Sequence, residues 1–106
     1  MREEERRYHR RMITAVVLIN AAVDAIPEIA ERVSEIGGVS EVYSVAGDVD
    51  LIAVVRVREF DQVAEVIAGR INKVPGVLET DTHIAFRAYS RHDLEAAFSL
   101  GLDPGA

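Results

Sequence analysis

The sequence contains no cysteine and no tryptophan, and aromatic residues make up only 6% of the chain. Without cysteine the chain cannot form a disulfide, a thiolate metal site or a cysteine nucleophile. Proteins of oxidising compartments commonly carry disulfides, so this composition fits a cytoplasmic protein. We therefore expect a cytoplasmic domain stabilised by an apolar core, which the 49% of hydrophobic residues can supply.

Long apolar runs and an excess of basic charge are also missing. No segment approaches the roughly 18 apolar residues that a membrane-spanning helix needs, and residues 1–11 are mostly charged, unlike a signal peptide. Acidic residues outnumber Lys and Arg by 18 to 12, which gives a net charge of −6. Nucleic-acid binding relies on basic surface. The sequence thus predicts neither a membrane nor nucleic acid as a direct partner.

Catalytic and metal-binding patterns are absent from the sequence. His9, His83 and His92 lie far apart and show no metal-ligand spacing. No Gly-x-Ser-x-Gly motif, phosphate-binding glycine loop or His-Glu-x-x-His motif occurs. We therefore expect no catalytic residues, no metal and no cofactor, and the chain is predicted not to be an enzyme.

Apolar periodicity divides the chain into one domain with two flanking segments. Residues 1–11 form a charged extension, residues 12–89 form the domain, and residues 90–106 form a short C-terminal helix and tail that opens with Ser90. Within the domain the order is βαββαβ, with strands at 12–20, 39–46, 51–57 and 75–89 and helices at 24–36 and 60–73. Asp24 is expected to cap the first helix. The second helix is expected to bury Val63, Ala64, Ile67, Ala68 and Ile71.

An internal repeat supports this order. Shifting the chain by 38 residues aligns ITAVVLI (13–19) with LIAVVRV (51–57), and GVSE (38–41) with GVLE (76–79), without a gap. Each half contributes one strand, one helix and the start of another strand. Two interleaved halves of this kind form a ferredoxin-like α+β sandwich, in which a four-stranded antiparallel sheet carries both helices on one face.

The central strands carry apolar residues on both faces. In the first strand Val16 and Leu18 point away from Ala15 and Val17, because side chains alternate along a strand. The helices can bury only one face, so the other is expected to pack on a second copy in a dimeric α+β barrel-like assembly. Arg56 interrupts the third strand, and it either pairs with an acid at this dimer face or marks where the strand leaves the core.

The segment VAGDVD, residues 45–50, places two aspartates at a turn before the buried third strand. Gly47 permits a positive φ and a close backbone approach. Asp48 and Asp50 supply acceptors beside backbone N–H donors, and these match the ammonium and carboxylate groups of an amino acid. The alternative is a turn whose Asp side chains bond their own backbone.

The fourth strand contains LETDTHIA, residues 78–85. Thr80 and Thr82 share one face, where two hydroxyls either orient a small polar ligand or reflect the β-propensity of threonine. Glu79, Asp81 and His83 share the other face. They form a metal or acid–base cluster or, in the interpretation that we favour, a charged edge that limits aggregation.

The order and spacing of these elements resemble a known family. GGVSEVYSVAGDVDLIAVVRV followed by INKVPGVLETDTHIAF is similar to the effector-binding (RAM, regulation of amino-acid metabolism) domain of the Lrp/AsnC transcriptional regulators. The family pattern contains a Gly-x-x-Asp turn, an apolar strand, a helix, a Pro-Gly-Val step and a Thr-x-Thr strand. The resemblance covers residues 12–89.

The resemblance implies an assembly and a ligand site. Such domains form dimers through their sheets, the dimers assemble into rings that are commonly octamers, and amino-acid effectors bind between dimers. Val49 stands where the family often has an aromatic residue. Carried over to this chain, the implied ligand-binding residues are Gly47, Asp48, Val49 and Asp50 of one dimer with Thr80 and Thr82 of its neighbour.

Only 11 residues precede the first strand, too few for the DNA-binding helix-turn-helix domain of the full-length regulators. The chain thus resembles a stand-alone sensor that self-assembles, binds an amino acid and modulates full-length Lrp/AsnC regulators by mixed assembly. The alternative is an oligomerising protein-interaction adaptor without a working ligand pocket. A small dimeric α+β enzyme is a third hypothesis, supported by fold analogy alone.

Overall fold

The computed structural model describes residues 12–89 and residue 91. Apart from Arg91, the expected N-terminal extension and C-terminal helix and tail lie outside these residues. The described strands are β1 (Ile13–Ala21), β2 (Val39–Ser44), β3 (Leu51–Val57) and β4 (Val77–Ala85). The helices are α1 (Ile26–Ser34) and α2 (Phe60–Gly69), with short 3-10 turns at Val23–Ala25 and Ile71–Lys73. The predicted βαββαβ order is confirmed.

The four strands form one antiparallel sheet in the order β2-β3-β1-β4. The two halves of the repeat therefore interleave, because β1 and β3 lie side by side at the centre while β2 and β4 form the edges. The register runs from Ile13 opposite Val57 to Ile19 opposite Leu51. This topology is the ferredoxin-like α+β sandwich that the repeat predicts.

The core lies between the sheet and the two helices. Alternate residues of the central strands are fully or almost fully buried, whereas the residues between them are only half-buried or exposed. Removing these aliphatic side chains from water is the main stabilising contribution to the domain. The buried strand residues are Ala15, Val17, Ile19, Ala21, Leu51, Ala53, Val55 and Val57.

The helix ends and the buried face of α2 differ from the sequence predictions. Asp24 lies inside the first 3-10 turn, and Ala25 is the N-cap residue of α1 without a side-chain cap, so the predicted Asp24 cap is wrong. In α2, Ala64 and Ala68 are exposed, while Val66 is buried. The valine takes the inward position because it removes more apolar surface from water than alanine does.

Two glycine turns pack each half of the repeat against the helix of the other half. Gly38 and Gly76 occupy equivalent positions of the repeat, and both have a φ of +96°. An added Cβ at Gly38 would lie 2.8 Å from Cγ2 of Val66 in α2, and one at Gly76 would overlap Cδ1 of Ile29 in α1. Each turn therefore needs glycine both for its backbone conformation and for its contact with a helix.

We expect Gly76→Ala to destabilise the domain by about 2–4 kcal/mol, since it adds left-handed strain to an overlap with Ile29. Gly69→Ala is the matched control. Its φ lies outside the left-handed range and an added Cβ meets no atom within 4 Å, so this change should be neutral or stabilise by about 0.4–1 kcal/mol. Urea unfolding of both variants measures the difference, and equal midpoints would contradict the role assigned to Gly76.

Candidate functional site

The turn between β2 and β3 is closed by a backbone hydrogen bond in which Val45 N–H donates to the carbonyl of Asp50 at 3.0 Å. Gly47 has a φ of +139°, which glycine adopts with little strain. No atom lies within 4 Å of the position that a Cβ on Gly47 would occupy. The tip of the turn therefore presents backbone to open space, as a ligand contact requires.

Asp50 has a structural partner that the sequence did not reveal. Its Oδ2 accepts a hydrogen bond from the backbone N–H of Ala21 at 2.8 Å, and its own N–H donates to the carbonyl of Ile19 at 2.9 Å. Asp50 thus fastens the turn to the end of β1. The two residues joined by this side-chain hydrogen bond are 29 positions apart, so no local sequence motif indicates the bond. A carboxylate accepts several hydrogen bonds, and a ligand contact at Asp50 stays compatible with this role.

Asp48 is exposed and makes no hydrogen bond or ion pair with another residue in the described part of the chain. Val49, beside it, is half-buried. Within residues 12–89, neither aspartate side chain bonds the backbone of its own turn. The self-bonded turn, which was the alternative to a ligand site, therefore does not describe this segment. Asp48 is left as a carboxylate directed to solvent.

Thr80 and Thr82 lie on one face of β4, as the alternation predicts. They stand opposite Ile19 and Val17 of β1, so they face the side of the sheet that the helices cover, and both are half-buried. The Thr80 hydroxyl donates a 2.7 Å hydrogen bond to Oδ1 of Asn72. Asn72 belongs to the 3-10 turn after α2, and nothing in the sequence singled it out.

Within one chain the six predicted ligand residues do not meet in one pocket. Asp50 bonds to Ile19, and Ile19 stands opposite Thr80, so β1 separates the turn from the threonines. Two strand spacings amount to about 10 Å. The fold places the turn and Thr80 at the same end of the sheet, on either side of β1. Beside Thr80 lies an open cavity of about 340 Å³ lined by Asn72, Val77, Leu78, Glu79 and Thr80.

The face of the sheet opposite the helices has an apolar centre. It is formed by half-buried aliphatic residues of the two central strands, namely Val16, Leu18, Ile52 and Val54. We call these four residues the open face. They confirm that both faces of the central strands are apolar, and they form an exposed patch of the kind that marks an interaction surface.

A polar cluster borders the open face. Arg56 forms a 3.1 Å ion pair with Glu41, and the hydroxyl of Tyr43 donates a 2.5 Å hydrogen bond to the same carboxylate. The Tyr43 hydrogen bond first, and then Arg56, hold the pKa of Glu41 below its usual range, while the Glu41 carboxylate raises the pKa of Tyr43. Of the two interpretations of Arg56, pairing with an acid describes it, and the acid is Glu41 of the same chain.

The charged residues of β4 form no metal centre. His83 Nε2 lies 3.1 Å from Oδ2 of Asp81, and both side chains are largely exposed. Among the described residues no group of three or more His, Asp or Glu side chains is placed to hold a metal ion. In the same part of the chain, no helix is long and apolar enough to cross a membrane.

Solved structures of transcriptional regulators share this fold. AsnC of Escherichia coli superposes with a TM-score of 0.70 at 16% identity, covering 85% of this chain and 59% of that chain. A regulator of Neisseria meningitidis, solved as a complex with L-Met, gives a TM-score of 0.68 at 13% identity over 86% of this chain and 58% of that chain. These similarities define the class as the α+β sandwich of AsnC-type proteins.

The sequence itself identifies the family. The family model described as the Lrp/AsnC ligand binding domain matches residues 14–94. A crystal structure from Thermus thermophilus is 40% identical with a TM-score of 0.70, covering 74% of this chain and 99% of that chain. The chain belongs to the Lrp/AsnC ligand-binding domain family, as the sequence pattern predicted.

The curated relatives that match this chain are HTH-type transcriptional regulators. An uncharacterised HTH-type transcriptional regulator of Pyrococcus furiosus is 34% identical over 76 residues, covering 69% of this chain and 51% of the relative. Its counterpart in Pyrococcus horikoshii is 33% identical over the same length and shares. The chain therefore spans about half the length of the curated relatives that it matches.

We expect Asp50→Ala to destabilise the domain by about 1–3 kcal/mol, because it leaves the part-buried N–H of Ala21 without its acceptor. Asp48→Ala, at an exposed position of the same turn, should stay within about 0.5 kcal/mol of the native chain. Urea unfolding of the two variants side by side gives the comparison. Equal stabilities would show that the Asp50 bond contributes nothing to the turn.

Proposed function

We propose that the chain is a non-enzymatic sensing domain that binds an amino acid and assembles into dimers and higher oligomers. The observation that carries this proposal is the collection of ligand-binding groups at one end of the sheet. The open backbone of Gly47 and the exposed carboxylate of Asp48 lie there together with the threonine hydroxyl of Thr80. A zwitterion needs acceptors and donors of this kind.

The ligand site in this proposal is built from two half-sites. One is the turn, with Gly47, Asp48, Val49 and Asp50, and the other is the β4 face with Thr80 and Thr82. Because β1 separates the halves within a chain, a ligand that touches both must bind between two copies. This separation supports a site at the contact between dimers, where each dimer contributes one half.

The dimer in this proposal forms through the open face. Burying Val16, Leu18, Ile52 and Val54 against the same residues of a second copy removes apolar surface from water on both sides. Dimers then join into a ring, for which an octamer is the expected size. Family membership supports this scheme, since the assembly is what the resemblance to Lrp/AsnC domains implies.

The regulatory part of the proposal is mixed assembly with full-length Lrp/AsnC regulators. The HTH-type regulators of Pyrococcus support it, because this chain aligns with about half of each of them. Such a role would place the chain in the cytoplasm. The L-Met complex of the Neisseria regulator supports an amino acid as the class of ligand.

An oligomerising adaptor without a working ligand pocket is the second candidate function. The open face favours it, because an apolar sheet surface drives association without any ligand. Amino-acid binding separates the two functions.

The first test is thermal unfolding against each of the twenty amino acids at about 10 mM. A ligand present at about 100 times its Kd stabilises the folded state by about 2.7 kcal/mol, which is easily measured. We expect one or two amino acids to raise Tm. Asp48→Ala should reduce that response without lowering the unliganded Tm, and so locate the turn half-site.

Two results would contradict this proposal, the first for its function and the second for its ligand site. No amino acid raising Tm would leave the adaptor as the supported function. A response that Asp48→Ala and an added Thr82→Val variant leave unchanged would show that an amino acid binds elsewhere. Asp50→Ala is unsuitable for this purpose, since it also removes the bond to Ala21.

A further inference from the structure

The cavity beside Thr80 is shaped by an irregularity in β4. Asn20 of β1 stands opposite Glu79, whereas Ala21 stands opposite Val77, so the register shifts and Leu78 has no partner. Leu78 is 71% exposed on this edge strand. A β-bulge redirects side chains and is common next to binding sites. Here the bulge lies beside the cavity that Asn72 and Thr80 also line.

The hydrogen bond from Thr80 fixes the side-chain amide of Asn72. Since Oδ1 of Asn72 accepts the proton of the Thr80 hydroxyl, its Nδ2 keeps both N–H donors for another partner. Among the described residues no acceptor contacts this Nδ2. The cavity therefore contains an oriented amide whose N–H donors are exposed and available to a ligand.

The other walls of the cavity define the chemistry of a matching ligand. Val77 and Leu78 add aliphatic surface. The Glu79 side chain stands opposite Asn20, on the face of β4 away from Thr80. A carboxylate can accept from the Asn72 amide, whereas a simple amine would leave these donors unused. A ligand that carries a carboxylate and an apolar side chain therefore matches these walls, and an apolar amino acid is such a ligand. The volume of about 340 Å³ falls at the lower end of the range for small-molecule sites.

The cavity has a firmly held base. The carbonyl of Gly76 accepts a 2.8 Å hydrogen bond from the N–H of Ala22, and the Gly76 backbone packs directly on Ile29. Val77 and Leu78 directly follow this turn, so their backbone starts from a fixed position. A binding site benefits from such support, because little conformational freedom is lost when a ligand binds.

We propose that Asn72 is a further ligand-binding residue, which donates its amide N–H groups to the carboxylate of an amino acid. In this assignment Thr80 is a positioning residue that orients the Asn72 amide. The inference rests on the proposed sensing function and deepens it. It extends the β4 half-site to Asn72 and specifies apolar amino acids as the preferred ligands.

The test repeats the panel of twenty amino acids with Asn72→Asp. Aspartate keeps the size of the side chain and an acceptor for Thr80, but it replaces the donors with a second oxygen. We expect Kd to rise about 10-fold or more for every amino acid that stabilises the native chain, because a hydrogen bond to a charged group is lost. The carboxamide derivatives of those amino acids lack the carboxylate, so native chain and variant should bind them equally.

Asn20→Asp is the matched control, since it adds the same charge opposite Glu79 on β1 without lining the cavity. It should leave Kd within about 2-fold, as expected for a screened charge near the surface. Thr80→Ser should retain native affinity and Thr80→Val should weaken it, because only serine keeps the hydroxyl that orients Asn72.

The outcomes separate this inference from the function on which it rests. A native chain that none of the twenty amino acids stabilises overturns the sensing function and the role of Asn72 together. A native chain that responds, with Asn72→Asp responding equally, overturns only the role of Asn72. A loss of affinity in Asn20→Asp as large as in Asn72→Asp also overturns it, because the effect would then be one of charge and not of the amide.

Discussion

The interlocking of the two halves of the chain is the contact on which the rest of the structure depends. Gly38 of the first half packs on Val66 of the second, and Gly76 of the second half packs on Ile29 of the first. Neither half can pair its edge strand without the other, because β2 pairs with β3 and β4 pairs with β1. The apolar rows of β1 and β3 then lie between the sheet and both helices, and the two halves are expected to fold as one cooperative unit.

This interlocking also places the groups that bear on function. Gly76 fixes the start of β4, from which the bulge at Leu78 and the Asn72–Thr80 pair follow. Asp50 fastens the turn between β2 and β3 to the end of β1, and β1 lies next to β4. The turn and the Thr80 end of β4 are thus held at one end of the sheet by contacts that belong to the fold. The open face results from the same alternation of apolar residues. It stays uncovered within one chain, since the two helices cover only one side of the sheet.

Much of this architecture can be predicted from the sequence because it depends on local periodicity. The alternation in ITAVVLI and LIAVVRV predicts the two central strands, and the 38-residue repeat predicts how the halves interleave. The exchange of Val66 for Ala64 and Ala68 in the buried face of α2 was missed because alanine fits either environment, and only the packed helix shows which side faces the sheet.

The contacts that define the candidate site were missed for a different reason. The Asp50–Ala21 bond joins residues 29 positions apart, and the Thr80–Asn72 bond joins a strand to a turn. Both arise from tertiary packing, and neither leaves a spacing that a sequence pattern can reveal. The family resemblance predicted a site at this turn and this strand. Only the structure shows that Asp50 already has a partner and that Asn72 lies beside Thr80.

In the proposed assembly a second copy covers the open face, and amino-acid binding depends on this contact. Sedimentation equilibrium of Leu18→Glu, with Val23→Glu at an exposed position off that face as control, measures whether the contact forms. We expect the native chain and Val23→Glu to sediment as dimers or larger species, whereas Leu18→Glu should sediment as a folded monomer that no amino acid stabilises. A native chain that is monomeric, or a Leu18→Glu variant with the native mass, would show that the open face is not the dimer contact.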